Sequence, residues 1–134
     1  MRTGIRAGLV AGALSGVPST MHALLTRRDA LAATRAAGAL LLPDEERVSR
    51  LLVAAVPVHV ALSLGWAVVL SAVLPRRATV RWGAVAGLAI AVIDLRLPGR
   101  RTARVRALPV GPQVADHLAF GAIVGAMTRS ARRR

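Results

Sequence analysis

Chemistry in this 134-residue sequence would have to come from a small set of side chains. There are three histidines, six acidic residues and no cysteine. All three histidines, His22, His59 and His117, and two acids, Asp94 and Asp116, fall within or at the edges of apolar stretches. Imidazole beside carboxylate suits a divalent metal such as zinc. The same groups could relay protons, since imidazole titrates near neutral pH. Hydrolysis would need an activated nucleophile. Ser15, Ser19 and Ser63 could stand near histidines, but there is no nucleophile-elbow motif. Metal motifs are also missing. No HExxH occurs, no two histidines are spaced i, i+4, and the nearest approach to an Asp–His motif is the adjacent Asp116-His117.

Each residue has a structural role to set against the chemical one. His22 and Asp116 would be solvated at headgroup depth. Asp94 would pair with Arg96 or with an arginine of the following loop. His59 would bond a carbonyl freed by Pro57, joining two helices. These structural roles are the leading expectation, with no catalytic or cofactor-binding residue and no enzyme activity. A divalent-metal or proton site formed by His22, His59, Asp94, Asp116 and His117 is the alternative, because ionisable groups inside a membrane point to function by default.

The elements that must position these groups are apolar and long. The hydrophobic fraction is 54% while the aromatic fraction is 2%, too few large side chains for an ordinary soluble core of this size. Gly4, Gly8, Gly12 and Gly16 recur every fourth residue, with Ala7, Ala11, Ser15 and Ser19 one ridge over. Small-residue ridges of this kind let helix backbones approach closely in lipid. The first span is expected over 4–25, capped by Thr3 and kinked at Pro18. Ser15 and Ser19 are placed to bond backbone groups that Pro18 frees. Arg2 and Arg6 could open a signal peptide, but a glycine-rich, proline-broken segment makes a poor signal core, so the span is read as retained.

A short interfacial helix is expected over 30–42, after Asp29 and up to Pro43, with Arg35 toward water. Asp44 should cap the next helix, with Glu45 and Glu46 in its first turn and a Glu46–Arg50 pair. The run 51–74 has no Arg, Asp or Glu and is the strongest transmembrane signal. A third span follows over 80–97, with Gly83, Gly87 and Ala91 on one face and Asp94 continuing it. It stops at Pro98-Gly99, before a loop bearing Arg100, Arg101, Arg104 and Arg106. The fourth span covers 112–128, with Pro112 at its first position and His117, Gly121 and Gly125 on one face.

Four spans place both termini on one side. That side carries nine arginines in short segments beside helix ends, and the other carries ten in longer loops. The positive-inside rule then favours cytoplasmic termini. All 19 basic residues are arginine and the net charge is +13. The excess of Arg, Ala and Val matches the coding bias of a GC-rich genome. Arginines flanking apolar runs, without aromatic platforms, suit anionic lipid headgroups rather than nucleic acid.

The stretches Gly12-Ala13-Leu14-Ser15-Gly16-Val17-Pro18-Ser19-Thr20 and Asp116-His117-Leu118-Ala119-Phe120-Gly121-Ala122-Ile123-Val124-Gly125 give the chain its overall character. In them it resembles small four-helix membrane proteins of GC-rich bacteria, actinobacteria among them. The resemblance implies no activity, cofactor or site residue. The expectation is therefore an all-α polytopic membrane protein, with four transmembrane helices packed through Gly4, Gly8, Gly12, Gly16, Gly83, Gly87, Gly121 and Gly125. It would serve as a structural or accessory subunit, alone, as a homo-oligomer or in a larger complex. A small proton- or metal-linked transporter or channel is the alternative. The glycine ridge of the first span is expected to dock within the chain, against the third and fourth spans.

Overall fold

The computed structural model describes residues 1–97 and 102–133, and within them the chain is all-α, with no strand. The helices are α1 (Arg2–Leu14), α2 (Val17–Leu25), α3 (Ala32–Gly38), α4 (Val48–Val73), α5 (Thr79–Arg96), α6 (Ala103–Arg106) and α7 (Val110–Ala131). Two helical segments, Arg2–Leu25 and Val48–Val73, are long and apolar enough to cross a membrane. α5 and α7 are long enough, at 18 and 22 residues, but more polar. Arg81, Asp94 and Arg96 interrupt α5, and Gln113, Asp116, His117 and Arg129 interrupt α7. The expected stop at Pro98-Gly99 and the loop residues Arg100 and Arg101 lie outside the described residues.

α7 is the hub. It packs against α5, α1, α2 and α4, while α1 also packs along α4. Ala7 and Ala11 of α1 are fully buried, in one cluster with Leu70, Ile90, Phe120 and Val124. Small side chains bring α1 close to its neighbours, and the few large ones fill the space between ends.

The first glycine ridge docks on α4, which corrects the expected partner. A methyl group added at Gly4 would lie 2.9 Å from the Val68 Cα, and one at Gly8 would lie 2.9 Å from the Ser63 carbonyl oxygen. At Gly12 it would lie 2.9 Å from the Ser63 hydroxyl. Gly16 is not part of this contact, since a Cβ there meets nothing within 4 Å. α5 and α7 form a second, antiparallel glycine contact. Methyl groups at Gly83 and Gly121 would each run into the other residue's carbonyl, and one at Gly87 would run into the His117 carbonyl. Gly125 sits against Thr79, where a Cβ would lie 2.6 Å from the carbonyl oxygen.

Several helix ends differ from expectation for local reasons. α1 begins at Arg2, so Thr3 lies inside the first turn and does not cap it. The first span divides into two helices at Ser15 and Gly16, with Pro18 at the second position of α2. Proline has no N–H and fits a helix start better than a helix interior. α3 covers only seven residues and packs on α4, where Gly38 abuts the Leu51 backbone. Arg35 pairs with Asp29 at the exposed surface of this segment. α4 starts at Val48, so no acid occupies its first turn. Glu45, not Glu46, pairs with Arg50, at 3.1 Å. It also accepts the N–H groups of Glu46 and Arg47 at 3.1 and 2.9 Å, closing the turn before the helix. α7 starts at Val110 with Pro109 as its cap, so Pro112 is its third residue, and α5 is the shorter of these last two helices.

Candidate functional site

The break between α1 and α2 leaves backbone groups open on both sides. The Ser15 N–H donates to the Ala11 carbonyl at 2.8 Å and the Gly16 carbonyl accepts the Thr20 N–H at 3.1 Å, while other groups of the last turn of α1 and first turn of α2 lack a partner within their own helices. Gly12 lies in that last turn of α1, and Ser19 is the third residue of α2. Two of the candidate side chains meet these ends.

The His59 Nε2 lies 2.8 Å from the Gly12 carbonyl oxygen. A carbonyl can only accept, so Nε2 carries the proton and donates it. The expected partner was a carbonyl freed by Pro57 within α4. The actual partner lies across the helix contact, because the glycine ridge brings α1 within reach of this imidazole. Asp116 approaches from α7. Its Oδ1 accepts the Ser19 backbone N–H at 2.8 Å, a half-buried contact. A carboxylate at a helix N-terminus also suits the dipole of α2. Asp116 therefore caps a helix, where the sequence suggested a solvated headgroup residue.

The serines and threonines after the break finish it locally. The Gly16 carbonyl accepts the Thr20 hydroxyl at 2.8 Å, the Ser19 hydroxyl at 3.3 Å and the Thr20 N–H at 3.1 Å. Pro18 and its neighbours signal a break in sequence. Only the structure shows that α4 and α7 supply one cap each.

His117 and Asp94 form a separate pair. The His117 Nδ1 lies 2.8 Å from the Gln113 carbonyl oxygen one turn back, so it too donates. The Nε2 faces Asp94 Oδ2 at 3.5 Å. A neutral ring with its proton on Nδ1 would turn an Nε2 lone pair toward a carboxylate. A ring carrying a second proton on Nε2 would instead form a charged pair with the carboxylate. Asp94 was expected to meet Arg96 or a loop arginine. It meets His117 because α5 and α7 lie antiparallel at glycine contact distance.

His22 belongs to neither arrangement; its carbonyl accepts the Thr26 hydroxyl at 2.7 Å. Among the described residues, no three His, Asp or Glu side chains gather in a way that could hold a metal ion. The five candidate residues thus divide into an α1 clamp, an α2 cap, an acid–imidazole pair and a bystander. Comparison with protein-family models, with curated proteins and with solved structures finds no match.

Proposed function

We propose that this chain is a multi-pass membrane protein whose four spans are Arg2–Leu25, α4, α5 and α7, acting as a structural or accessory subunit in a bacterial inner membrane. The observation that carries this reading is the use of His59 and Asp116. Both meet open backbone groups at an internal helix break, the requirement that a lipid environment imposes on every backbone. At 1.5 Å per residue α5 extends about 27 Å and α7 about 33 Å, close to the ~30 Å hydrocarbon thickness. The orientation rests on charge. Arg2, Arg6, Arg76, Arg77, Arg81, Arg129, Arg132 and Arg133 belong to one end, while all six acids belong to the other half. Cytoplasmic termini follow from the positive-inside rule. The bilayer, with its anionic headgroups, is the first partner, and a second copy or a larger complex is the next.

The test compares His59→Ala and Asp94→Ala with wild type in detergent and in liposomes. Reduced thermal stability, with no ion- or pH-dependent activity to lose, supports a structural role.

The His117–Asp94 pair favours a second reading, a small proton-linked transporter or channel. The pair joins α5 to α7, and ionisable groups inside a membrane point to function by default. Proton flux into liposomes carrying a pH-sensitive dye, lost in His117→Ala with the fold intact, would establish it. Absence of flux in the wild type would remove it.

A further inference from the structure

A cavity lies at the end of the molecule where α1 starts and where α4 and α7 finish. Its volume is about 320 Å³, at the lower end of the ~300–1,000 Å³ range of ligand pockets. Thr3, Gly4, Val68, Ser71, Thr128 and Arg132 line it. We infer that this cavity binds the phosphodiester headgroup of an anionic lipid, an inference that rests on the membrane-spanning reading.

Four observations converge on an anion. The Arg132 guanidinium is held in place, donating to the Leu74 carbonyl at 2.9 Å and to the Ser71 carbonyl at 3.1 Å. No acid lies in this half of the sequence pattern to neutralise it. The Ser71 and Thr128 hydroxyls lie 3.2 Å apart and share one hydrogen bond, which uses only one of their two protons. Thr128 is 2% exposed, so this pair is a built feature and not a surface accident. The first-turn N–H groups of α1, including those of Thr3 and Gly4, have no partner within the helix and favour negative charge.

Charge complementarity selects the occupant and depth selects its source. The cavity lies where α1 and α4 would meet the headgroup layer, and its wall includes the apolar Val68, beside which an acyl chain can run. A phosphodiester offers acceptors to the guanidinium and hydroxyl, and its lipid body remains in the bilayer. Basic side chains at such a boundary attract anionic lipid in general. The distinguishing claim is a single shaped site.

The experiment is native mass spectrometry of the full chain in detergent, titrated with phosphatidylglycerol and separately with phosphatidylcholine. Carbonate extraction of membranes containing the wild type runs beside it. Both lipids carry a phosphodiester, but the choline cation of phosphatidylcholine cancels its charge and opposes Arg132, so the first phosphatidylglycerol should bind about tenfold tighter. Ala72→Phe and Ala131→Phe fill the cavity from its other lining positions and keep every charge. Each should weaken that first site about tenfold, as should Arg132→Gln. Arg77→Gln removes an equal charge from the same end but outside the cavity, and should cost less than about fivefold.

Equal binding of the two lipids would overturn the proposal. So would an Arg77→Gln loss matching that of Arg132→Gln with both Phe variants unaffected, which would mean diffuse attraction only. Displacement of phosphatidylglycerol by equimolar inorganic phosphate would assign the cavity to a soluble anion and overturn the lipid claim. Release of wild-type chain by carbonate would overturn the spanning reading and this site with it. Carbonate resistance with equal lipid binding would overturn the site alone.

Discussion

The Ser19 backbone N–H and the Asp116 carboxylate, 97 positions apart in the chain, meet at 2.8 Å. This bond ties α2 to α7 where the first span is interrupted. A helix cap normally comes from the residue beside the helix end. Here Gly16 occupies the cap position and has no side chain to offer. A distant acid takes the role, so a local break becomes a tertiary link.

Replacing Asp116 should show this through chemistry rather than charge. Asp116→Asn keeps an acceptor, and its thermal midpoint in detergent should stay close to that of wild type. Asp116→Ala leaves Ser19 without a partner and should cost about 0.5–2 kcal/mol, the range for a lost N-cap. Equal effects of Asn and Ala would show that charge, not hydrogen bonding, matters at this position.

His59 makes the matching bond on the α1 side of the break. His59→Ala should destabilise by about 0.6 kcal/mol, the average for interhelical hydrogen bonds in membranes, and by no more than about 1.7 kcal/mol. His59→Gln retains an N–H donor and should recover part of the loss. Reversible unfolding in mixed micelles, followed by circular dichroism, gives both values. A neutral His59→Ala would mean that the Gly12 carbonyl finds another donor without cost.

The glycines separate by contact, not by motif. Gly83→Ala and Gly121→Ala push a methyl group into a facing backbone, with no flexible side chain to yield, and should cost about 1–3 kcal/mol each. Gly65 lies mid-helix in α4 with nothing within 4 Å of an added Cβ. Gly65→Ala should therefore stabilise, by up to about 1 kcal/mol from helix propensity. The same unfolding assay compares all three.

The turn before α4 should respond to acid. The Arg47 N–H, then the Arg50 guanidinium, hold the Glu45 carboxyl below its ordinary value. A carboxyl with a depressed folded-state value stabilises the turn above the unfolded-state value. That contribution is lost as pH falls through the folded-state value. Amide exchange at Arg47, corrected for its intrinsic pH dependence, should lose protection across that acidic window. Glu45→Gln should abolish the transition.

The broad pattern of helices was legible because prolines, basic pairs and apolar runs act locally. Pro18 announced a break, and Pro75 with Arg76 and Arg77 announced a turn. Partner choice was not legible. A glycine ridge states that some backbone comes close, but carries no side chain to say whose. Gly4, Gly8 and Gly12 accordingly met α4 when α5 and α7 were expected, and Gly16 met nothing. Asp116 and His117 stood out as polar groups in an apolar context. Their partners, Ser19 and Asp94, depend on how α7 lies against α2 and α5, which no local spacing encodes. The Arg132 contacts with the end of α4 escaped notice because a terminal arginine run reads only as charge.

The central claim is that four segments cross the bilayer, with the arginine-rich end and the acid-bearing end on opposite sides. The chain has no cysteine, so single substitutions Arg77→Cys, Ser130→Cys, Asp44→Cys and Ala103→Cys each give one label site. A membrane-impermeant maleimide applied to intact spheroplasts and to inverted vesicles reads the side of each. Arg77→Cys and Ser130→Cys should react only from the cytoplasmic face, and Asp44→Cys and Ala103→Cys only from the outer face. Labelling of Arg77→Cys and Ala103→Cys from the same face would show that α5 does not cross, and would contradict the account.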